Sequence, residues 1–309
     1  MMRFCLERLS QLIIVILFVS TATFLLVRFA PGDPAHILLA KNNVPVSQEA
    51  LRHVRQELGL TDSLWEQYIK WIKGVFTGQW GVSFSSKEPV ITELLTRLPA
   101  TLELAGAGFI VMVSLTFFIA IGTTVYTAKW VNAWGKMLAL FGASIPGFWL
   151  GFLLIYVFSV RYGWLPSMGH GTILHLILPA ITLGGGVGAI YARVLRSNML
   201  EMMKQPFVKA SKARGMSQRE IMTSQLLKHA FSPILAIFGT NFAFMLGGSV
   251  IVETVFSWPG LGKYVIESIG RRDYPVIQGY VILTSFIFVS IHIVVDIVNR
   301  WLDPKLRIY

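Results

Sequence analysis

Two histidines in one short stretch are the residues best suited to holding a metal. His170 and His175 lie close together, with Met168 just before them. Imidazole nitrogens and a thioether can bind nickel, copper or zinc, but no cysteine or carboxylate stands beside them in the sequence. The spacing therefore suggests a transient metal contact at His170 and His175, with surface histidines as the alternative.

The sequence has no motif for catalysis. The run Gly260-Leu261-Gly262-Lys263 lacks the spacing of a phosphate loop, and no set of nucleophile, base and oxyanion donors is legible. A proton-coupled carrier would need a carboxylate at mid-membrane depth, whereas Glu103 and Glu253 fall near the ends of apolar stretches. The chain is expected not to be an enzyme and to bind no cofactor, while an ion-gradient carrier stays open as an alternative.

The composition and the uncharged stretches predict an all-α membrane protein with six spans. Of 309 residues, 54% are hydrophobic and 14% are charged, whereas a soluble domain has about 25% charged residues. The uncharged stretches lie between Arg8 and Arg28, Glu103 and Lys129, Lys136 and Arg161, Arg161 and Arg193, Lys228 and Glu253, and Asp273 and Asp296. Each approaches or exceeds the roughly 20 residues that a helix needs to cross a bilayer. The fourth span is expected at about 173–192.

The basic residues predict the orientation. Most of the net charge of +11 falls on one side if both termini are cytoplasmic, so the charge is a topology signal and nucleic acid is not needed as a partner. This places a large extracytoplasmic segment between spans one and two. The predicted parts are an anchor with span one at 1–30, the extracytoplasmic segment at 31–100 and a five-span core at 101–309.

Short amphipathic helices are expected in the extracytoplasmic segment. Ser47 is a suitable N-cap for a helix ending near Gly59. A second helix at about 65–76 carries aromatic residues at helical spacing, which suits a position at the lipid headgroups.

Glycine and proline interrupt spans three to five. Pro146 lies near the middle of the third span, and the fourth contains Pro179 and a glycine-rich run at 184–188. Such residues often mark only kinks in membrane helices. Their accumulation favours a bundle that rearranges.

The inner loop at about 193–228 is expected to form short helices at 198–203, at 207–214 and from Ser217 onward. Gly215 suits a left-handed helix end, and Ser217 with Glu220 forms a capping box. A basic element of this kind indicates docking of another subunit, with a loop held at anionic lipid as the alternative.

This loop resembles the Glu-Ala-Ala-x-x-x-Gly signature of permease subunits of ATP-binding-cassette (ABC) importers. The matching run is Lys209-Ala210-Ser211-Lys212-Ala213-Arg214-Gly215, with lysine in place of the signature glutamate. The whole chain resembles the first permease of the dipeptide, oligopeptide and nickel branch, through 31–34, 58–60, 67–68, 80–83, 98–104, 256–262, 272–278 and 303–304.

The resemblance implies the type I ABC importer permease fold and alternating access. It implies a second permease, one or two ATPase subunits that hold ATP and magnesium, and an extracytoplasmic binding protein. ATPase docking would fall to Phe207, Lys209, Ala210, Ser211, Ala213, Arg214 and Gly215. The translocation pathway is expected to involve Ser144, Pro146, Gly184, Gly185, Gly186, Asn241 and Glu253.

The substrate is expected to be nickel or a metal chelate. The short loop at 164–169 and the run Ala105-Gly106-Ala107 resemble nickel permeases more than peptide permeases. A dipeptide or oligopeptide is the alternative within the same branch.

Overall fold

The computed structural model describes residues 2–30, 32–41, 46–125, 129–221 and 227–302. The regular elements in these ranges are helices. They are α1 (Met2–Phe29), α2 (Pro34–Lys41), α3 (Gln48–Glu57), α4 (Leu64–Thr77), α5 (Val90–Val125), α6 (Lys129–Ser144), α7 (Gly147–Leu154), a π-helix (Ile155–Arg161), α8 (Ile173–Met202), α9 (Pro206–Ala213), α10 (Gln218–Ile221), α11 (Leu227–Val255), α12 (Leu261–Gly270) and α13 (Tyr274–Leu302).

Within the described ranges, 5 helices are long and apolar enough to cross a membrane: Ser10–Phe29, Val90–Val125, Ile173–Met202, Ile237–Val255 and Tyr274–Val298. They correspond to five of the six predicted spans. In the third, the chain breaks between Ser144 and Gly147, and only a shorter apolar helix, Gly147–Arg161, follows. Pro146 has an extended ψ of 135° and immediately precedes α7, a position where its missing N–H leaves no helical hydrogen bond unmade.

The helix predicted to start after Ser47 and to end near Gly59 is present as α3, and the one predicted at about 65–76 is present as α4. Both begin at local caps. Ser47 accepts a hydrogen bond from the backbone N–H of Ala50. Ser63 and Glu66 form a capping box, and α4 ends at Gly78, which has a φ of 75°. Residues adjacent in sequence to the helix ends therefore determine where these helices start and stop.

The separate short helix expected at 198–203 is wrong. α8 continues without a break from Ile173 to Met202, and its part from 189 to 202 contains neither glycine nor proline. The crossing segment and the first part of the inner loop are thus one rigid helix.

The chain divides into two compact units, which we describe separately: unit 1 is 1–101 with 259–289, and unit 2 is 102–258 with 290–309. In unit 1, a core of Val90, Leu94, Leu261, Val276 and Leu283 joins α5, α12 and α13. α4 packs on α1 through the rings of Tyr68 and Trp71 against Phe24. Deeply buried apolar side chains thus fix the elements of this unit.

In unit 2, α8 is the central element and packs against α6, α7 and α11. Its apolar core is formed by Ala105, Met112, Ala120, Leu195, Met199, Val208, Ile221, Ile234, Phe238 and Met245. Val208 belongs to α9, so the inner loop is packed into the same core as the membrane helices.

Candidate functional site

The predicted docking segment is a helix with two different sides. Val208 and Ser211 of α9 are buried at 1% exposure, and Phe207 packs against the core of unit 2. The other side is exposed and presents Lys209, Ala210, Lys212, Ala213 and Arg214. In this arrangement another protein can bind the exposed side of α9, and a movement of α9 can be transmitted to the helices that contact its buried side.

The end of α9 closes as the sequence predicts. Gly215 has a φ of +83°, and its N–H donates to the carbonyl of Lys212 at 2.9 Å. The N–H of Met216 donates to the carbonyl of Ser211 at 3.2 Å, and the guanidinium of Arg214 donates to the Ser211 hydroxyl at 3.2 Å. The exposed Arg214 is therefore held at a fixed place on the turn.

The capping box after the turn is also confirmed. The N–H of Ser217 donates to the carboxylate of Glu220 at 2.8 Å, and the N–H of Glu220 donates to the Ser217 hydroxyl at 3.2 Å. The hydrogen bonds from Ser217 hold the pKa of Glu220 below its usual value. The predicted continuation beyond Ile221 lies outside the described residues at 222–226.

The three adjacent glycines assigned to the pathway lie in different surroundings. A Cβ on Gly184 would stand 2.0 Å from the carbonyl oxygen of Gly108 on α5, and one on Gly186 would stand 2.9 Å from that of Gly142 on α6. A Cβ on Gly185 would meet only Ile181 of its own helix, at 3.8 Å. Gly184 and Gly186 are thus positions of close backbone contact.

The other pathway residues are a mixed set. Ser144 and Pro146 are exposed at the break between α6 and α7. Asn241 donates to the hydroxyl of Tyr191 at 2.6 Å. The assignment of these residues to a pathway stays a prediction.

Glu253 is a fully buried carboxyl group in α11. Its exposure is 0%, and one oxygen accepts a hydrogen bond from the hydroxyl of Ser249 at 3.0 Å. Burying an acidic group in a membrane-spanning helix is costly, which makes Glu253 a candidate for a functional role.

The predicted metal ligands each contact another side chain. His170 lies 2.9 Å from a carboxylate oxygen of Glu103, with its ring edge against Trp258 at 4.5 Å between centroids. His175 lies 2.7 Å from the hydroxyl of Thr172. Among the described residues there is no group of three or more His, Cys, Asp and Glu side chains that could hold a metal ion. A metal at His170 and His175 stays a prediction.

Unit 1 contains a cavity, lined mostly by polar and charged residues, that the sequence did not reveal. Its volume is about 340 Å³, and it is open to solvent. We call it the unit 1 cavity. It is lined by Ser83, Ser85, Ser86, Glu93, Arg97, Pro259, Gly260, Lys263, Tyr264, Glu267, Ser268, Arg271 and Asp273.

The serine wall of the cavity is attached to Asp273, which is 1% exposed. The carboxylate accepts hydrogen bonds from the Ser83 hydroxyl at 2.6 Å, from the N–H of Phe84 at 3.1 Å and from the N–H of Ser85 at 3.0 Å. The Ser83 hydroxyl in turn accepts from the N–H of Ser86 at 3.0 Å. Because these bonds satisfy a buried charge, the wall has one well-defined conformation.

A second wall is formed by α5 and α12. Arg97 lies over the ring of Tyr264 at 4.0 Å and pairs with Glu93 at 3.4 Å. The Tyr264 hydroxyl donates to the Glu93 carboxylate. Burial raises the pKa of Tyr264 above its usual value near 10, and the hydrogen bond to Glu93 raises it further.

The mouth of the cavity follows one face of α12. Glu267 lies between Lys263, at 3.9 Å, and Arg271, at 3.7 Å. Both separations exceed ordinary hydrogen-bonding distance. Two cations thus share one carboxylate.

Several residues that line the cavity belong to sequence runs that indicate the family, but these runs do not show that the residues form one site. Ser83, Pro259, Gly260 and Asp273 all belong to runs that carry the resemblance described above. Reading them as one site needed the tertiary structure, because they come from distant parts of the chain.

Residues 89–308 match the family model described as "Binding-protein-dependent transport system inner membrane component". Residues 1–105 match the model of the N-terminal part of such membrane components. The chain is 37% identical over 307 residues to the glutathione transport system permease protein GsiC of Salmonella paratyphi A, covering 99% of each chain. It is 36% identical to GsiC of Escherichia coli K12 over the same length and share.

Two solved transporters share the fold. The inward-facing methionine ABC transporter MetNI aligns with a TM-score of 0.57 at 20% identity, covering 69% of this chain and 97% of that chain. An amino acid ABC transporter with histidines aligns with a TM-score of 0.55 at 19% identity, covering 68% and 94%.

Proposed function

Because the chain belongs to the family of binding-protein-dependent transport system inner membrane components, we propose that it is the permease subunit of an importer for short peptides. It is a multi-pass inner-membrane protein of the ABC importer type, and its family is a permease component that is not itself an ATPase. The observation that carries the peptide assignment is the end-to-end match to permeases named for glutathione, which is a tripeptide.

The sequence motifs favour nickel as the substrate, but the comparisons support the peptide alternative better. The relatives described above are named for glutathione, and none of their names refers to a metal. His170 and His175 already contact Glu103 and Thr172. No observation in the described structure favours metal import as a second function.

The proposed complex contains a second permease, ATPase subunits that bind ATP and magnesium, and an extracytoplasmic binding protein. The two-sided packing of α9 supports docking of an ATPase on its exposed face, since Val208 and Ser211 fix the opposite face in the core. Motion of the ATPase would then reach α8 and α11 through this core. In this proposal both termini are cytoplasmic, and α7 with the π-helix completes the third of six crossings.

The test is uptake of labelled substrates by cells lacking the gene and by the same cells with the gene restored. Diglycine, glutathione and nickel-63 would be compared. We expect deletion to reduce peptide uptake and restoration to recover it, with nickel accumulation unchanged. Loss of nickel accumulation alone would overturn the peptide assignment.

A further inference from the structure

We propose that the unit 1 cavity binds a free short peptide, with the C-terminal carboxylate of the peptide held by Arg271 and its ammonium group facing Glu267 and Glu93. This inference rests on the proposed function, since it names a place on the permease where the transported class of molecule would bind.

The size of the cavity suits such a ligand. Small-molecule sites have volumes of roughly 300–1,000 Å³, and the volume of about 340 Å³ falls at the lower end of that range. A ligand of one to three small residues is therefore the expected class.

Arg271 is the group in the mouth best placed to take a carboxylate. Its side chain is 47% exposed, and its nearest acidic oxygen, on Glu267, lies 3.7 Å away. At that distance no hydrogen bond forms, and the described residues give the guanidinium no other side-chain partner. A planar guanidinium with available N–H donors can bind a carboxylate through two parallel hydrogen bonds.

The cavity also carries the opposite charge, which an ammonium group requires. Glu267 lies in the mouth, and Glu93 lies on the second wall beside Arg97. A lining with both signs fits a zwitterion better than an acidic segment of a protein, which would bring negative charge alone. The lining thus favours a free peptide over a docked acidic loop.

The serine wall is already ordered before a ligand enters. Asp273 holds the backbone of Phe84 and Ser85, and the Ser83 hydroxyl accepts from the N–H groups of Ser85 and Ser86. A preformed wall lowers the conformational cost of binding, because fewer groups must be immobilised with the ligand.

The experiment measures binding of diglycine to the full-length chain, purified in detergent with its copurifying subunits, by saturation-transfer NMR titration. Diglycine amide, which lacks the carboxylate, and N-acetyl-diglycine, which lacks the ammonium group, are the matched probes. Arg271→Gln removes the proposed carboxylate ligand, and Arg271→Lys keeps its charge. Arg52→Gln, at an exposed position of α3 outside the cavity, removes the same charge elsewhere.

We expect diglycine to bind at least about tenfold more weakly to Arg271→Gln, because the charge-assisted hydrogen bonds of the guanidinium are lost. Arg271→Lys should recover part of the affinity, and Arg52→Gln should not change it. Diglycine amide should bind weakly to every variant. Melting temperatures of all variants check that they remain folded, and Lys263→Gln provides a second test of the mouth.

Equal affinity of wild type and Arg271→Gln for diglycine would overturn the proposal. It would also be overturned if diglycine failed to bind the wild type. Arg271-dependent binding of the blocked peptide acetyl-Gly-Glu-Gly-amide would then show that the cavity accepts a protein side chain. If uptake depends on the gene but binding does not depend on Arg271, only this inference fails. If deletion of the gene leaves peptide uptake unchanged, the proposed function itself fails.

Discussion

The carboxylate of Asp273 and the hydroxyl of Ser83 are joined by a hydrogen bond of 2.6 Å across 190 positions of the chain. Asp273 immediately precedes α13, and Ser83 lies in the loop before α5. The bond therefore joins the two sequence segments that form unit 1, 1–101 and 259–289. It is also the support of the serine wall of the unit 1 cavity.

Asp273→Asn should destabilise the protein strongly. Asparagine would replace one acceptor oxygen of Asp273 by an NH₂ donor. This donor would face N–H or O–H groups that now donate to Asp273. We expect the free energy of unfolding to fall by about 2–3 kcal/mol, the cost of a buried unsatisfied polar group. SDS titration of the purified protein in mixed micelles measures it.

Ser83→Ala is the matched variant for this network. It removes the shortest of the bonds to Asp273 but leaves the backbone donors of Phe84 and Ser85 in place. The expected loss is smaller, about 1–2 kcal/mol. A loss for Ser83→Ala as large as that for Asp273→Asn would contradict the view that the backbone donors carry most of the support.

Gly184→Ala and Gly185→Ala form a second matched pair. A Cβ on Gly184 would stand 2.0 Å from the Gly108 carbonyl oxygen, whereas one on Gly185 would have only Ile181 at 3.8 Å. Since a backbone atom cannot move aside as a side-chain end can, Gly184→Ala must separate α5 from α8. We expect it to lower the free energy of unfolding by about 1–3 kcal/mol.

Gly185→Ala should leave stability unchanged or raise it by up to about 1 kcal/mol, because alanine is the better helix former. Both variants are measured by SDS titration and by peptide uptake. If the two variants lost the same stability, the contact between α5 and α8 at Gly184 would not be the reason.

Local signals in the sequence predicted local structure well. The caps at Ser47 and Ser217 and the left-handed turn at Gly215 are all present. Each depends on residues within a few positions of one another, so the sequence contains the whole cause. The sequence predicts the fourth span at about 173–192, before the charge of Arg193, whereas α8 continues to Met202. A charged side chain does not interrupt the backbone hydrogen bonds of a helix.

Long-range structure could not be predicted in the same way. The sequence predicts a third span with Pro146 near its middle, whereas in the structure the helix breaks at Pro146. The unit 1 cavity joins Ser83, Glu93 and Asp273, whose proximity depends on how α5, α12 and α13 pack. The hydrophobic pattern identifies the apolar spans that contain parts of α5 and α13, but it does not give their partners.

Tyr264→Phe tests the second wall of the cavity through alkaline pH. Because the pKa of Tyr264 is raised in the folded protein, folding favours its neutral form. The stability that Tyr264 contributes in its neutral form is fully present below the unfolded pKa near 10, and it is lost as the pH rises above that value. Phenylalanine keeps the ring beneath Arg97 but cannot ionise.

Melting temperatures of the wild type and Tyr264→Phe would be compared at pH 8, 9, 10 and 11. We expect the difference between the two proteins to be constant below about pH 10 and to change above it, with the wild type losing more stability. A difference that stayed the same across the whole range would show that the hydroxyl is not held neutral by burial and Glu93.

The exposed face of α9 gives the last prediction. Ala210→Trp adds bulk and Arg214→Glu reverses a charge on this face, while Val208 and Ser211 keep the helix in its core. If an ATPase grips α9, each variant should reduce peptide uptake at least about tenfold, as loss of a central interface contact does. Chain abundance should not change.

The control for charge is Lys204→Glu, at an exposed position just before α9. ATP hydrolysis by the purified complex separates two explanations for lost uptake. A docking role predicts that hydrolysis no longer responds to the peptide in Ala210→Trp and Arg214→Glu but still does so in Lys204→Glu. If Lys204→Glu and Arg214→Glu reduced uptake equally while Ala210→Trp left it unchanged, general basic charge would explain the result, and docking on the exposed face of α9 would not.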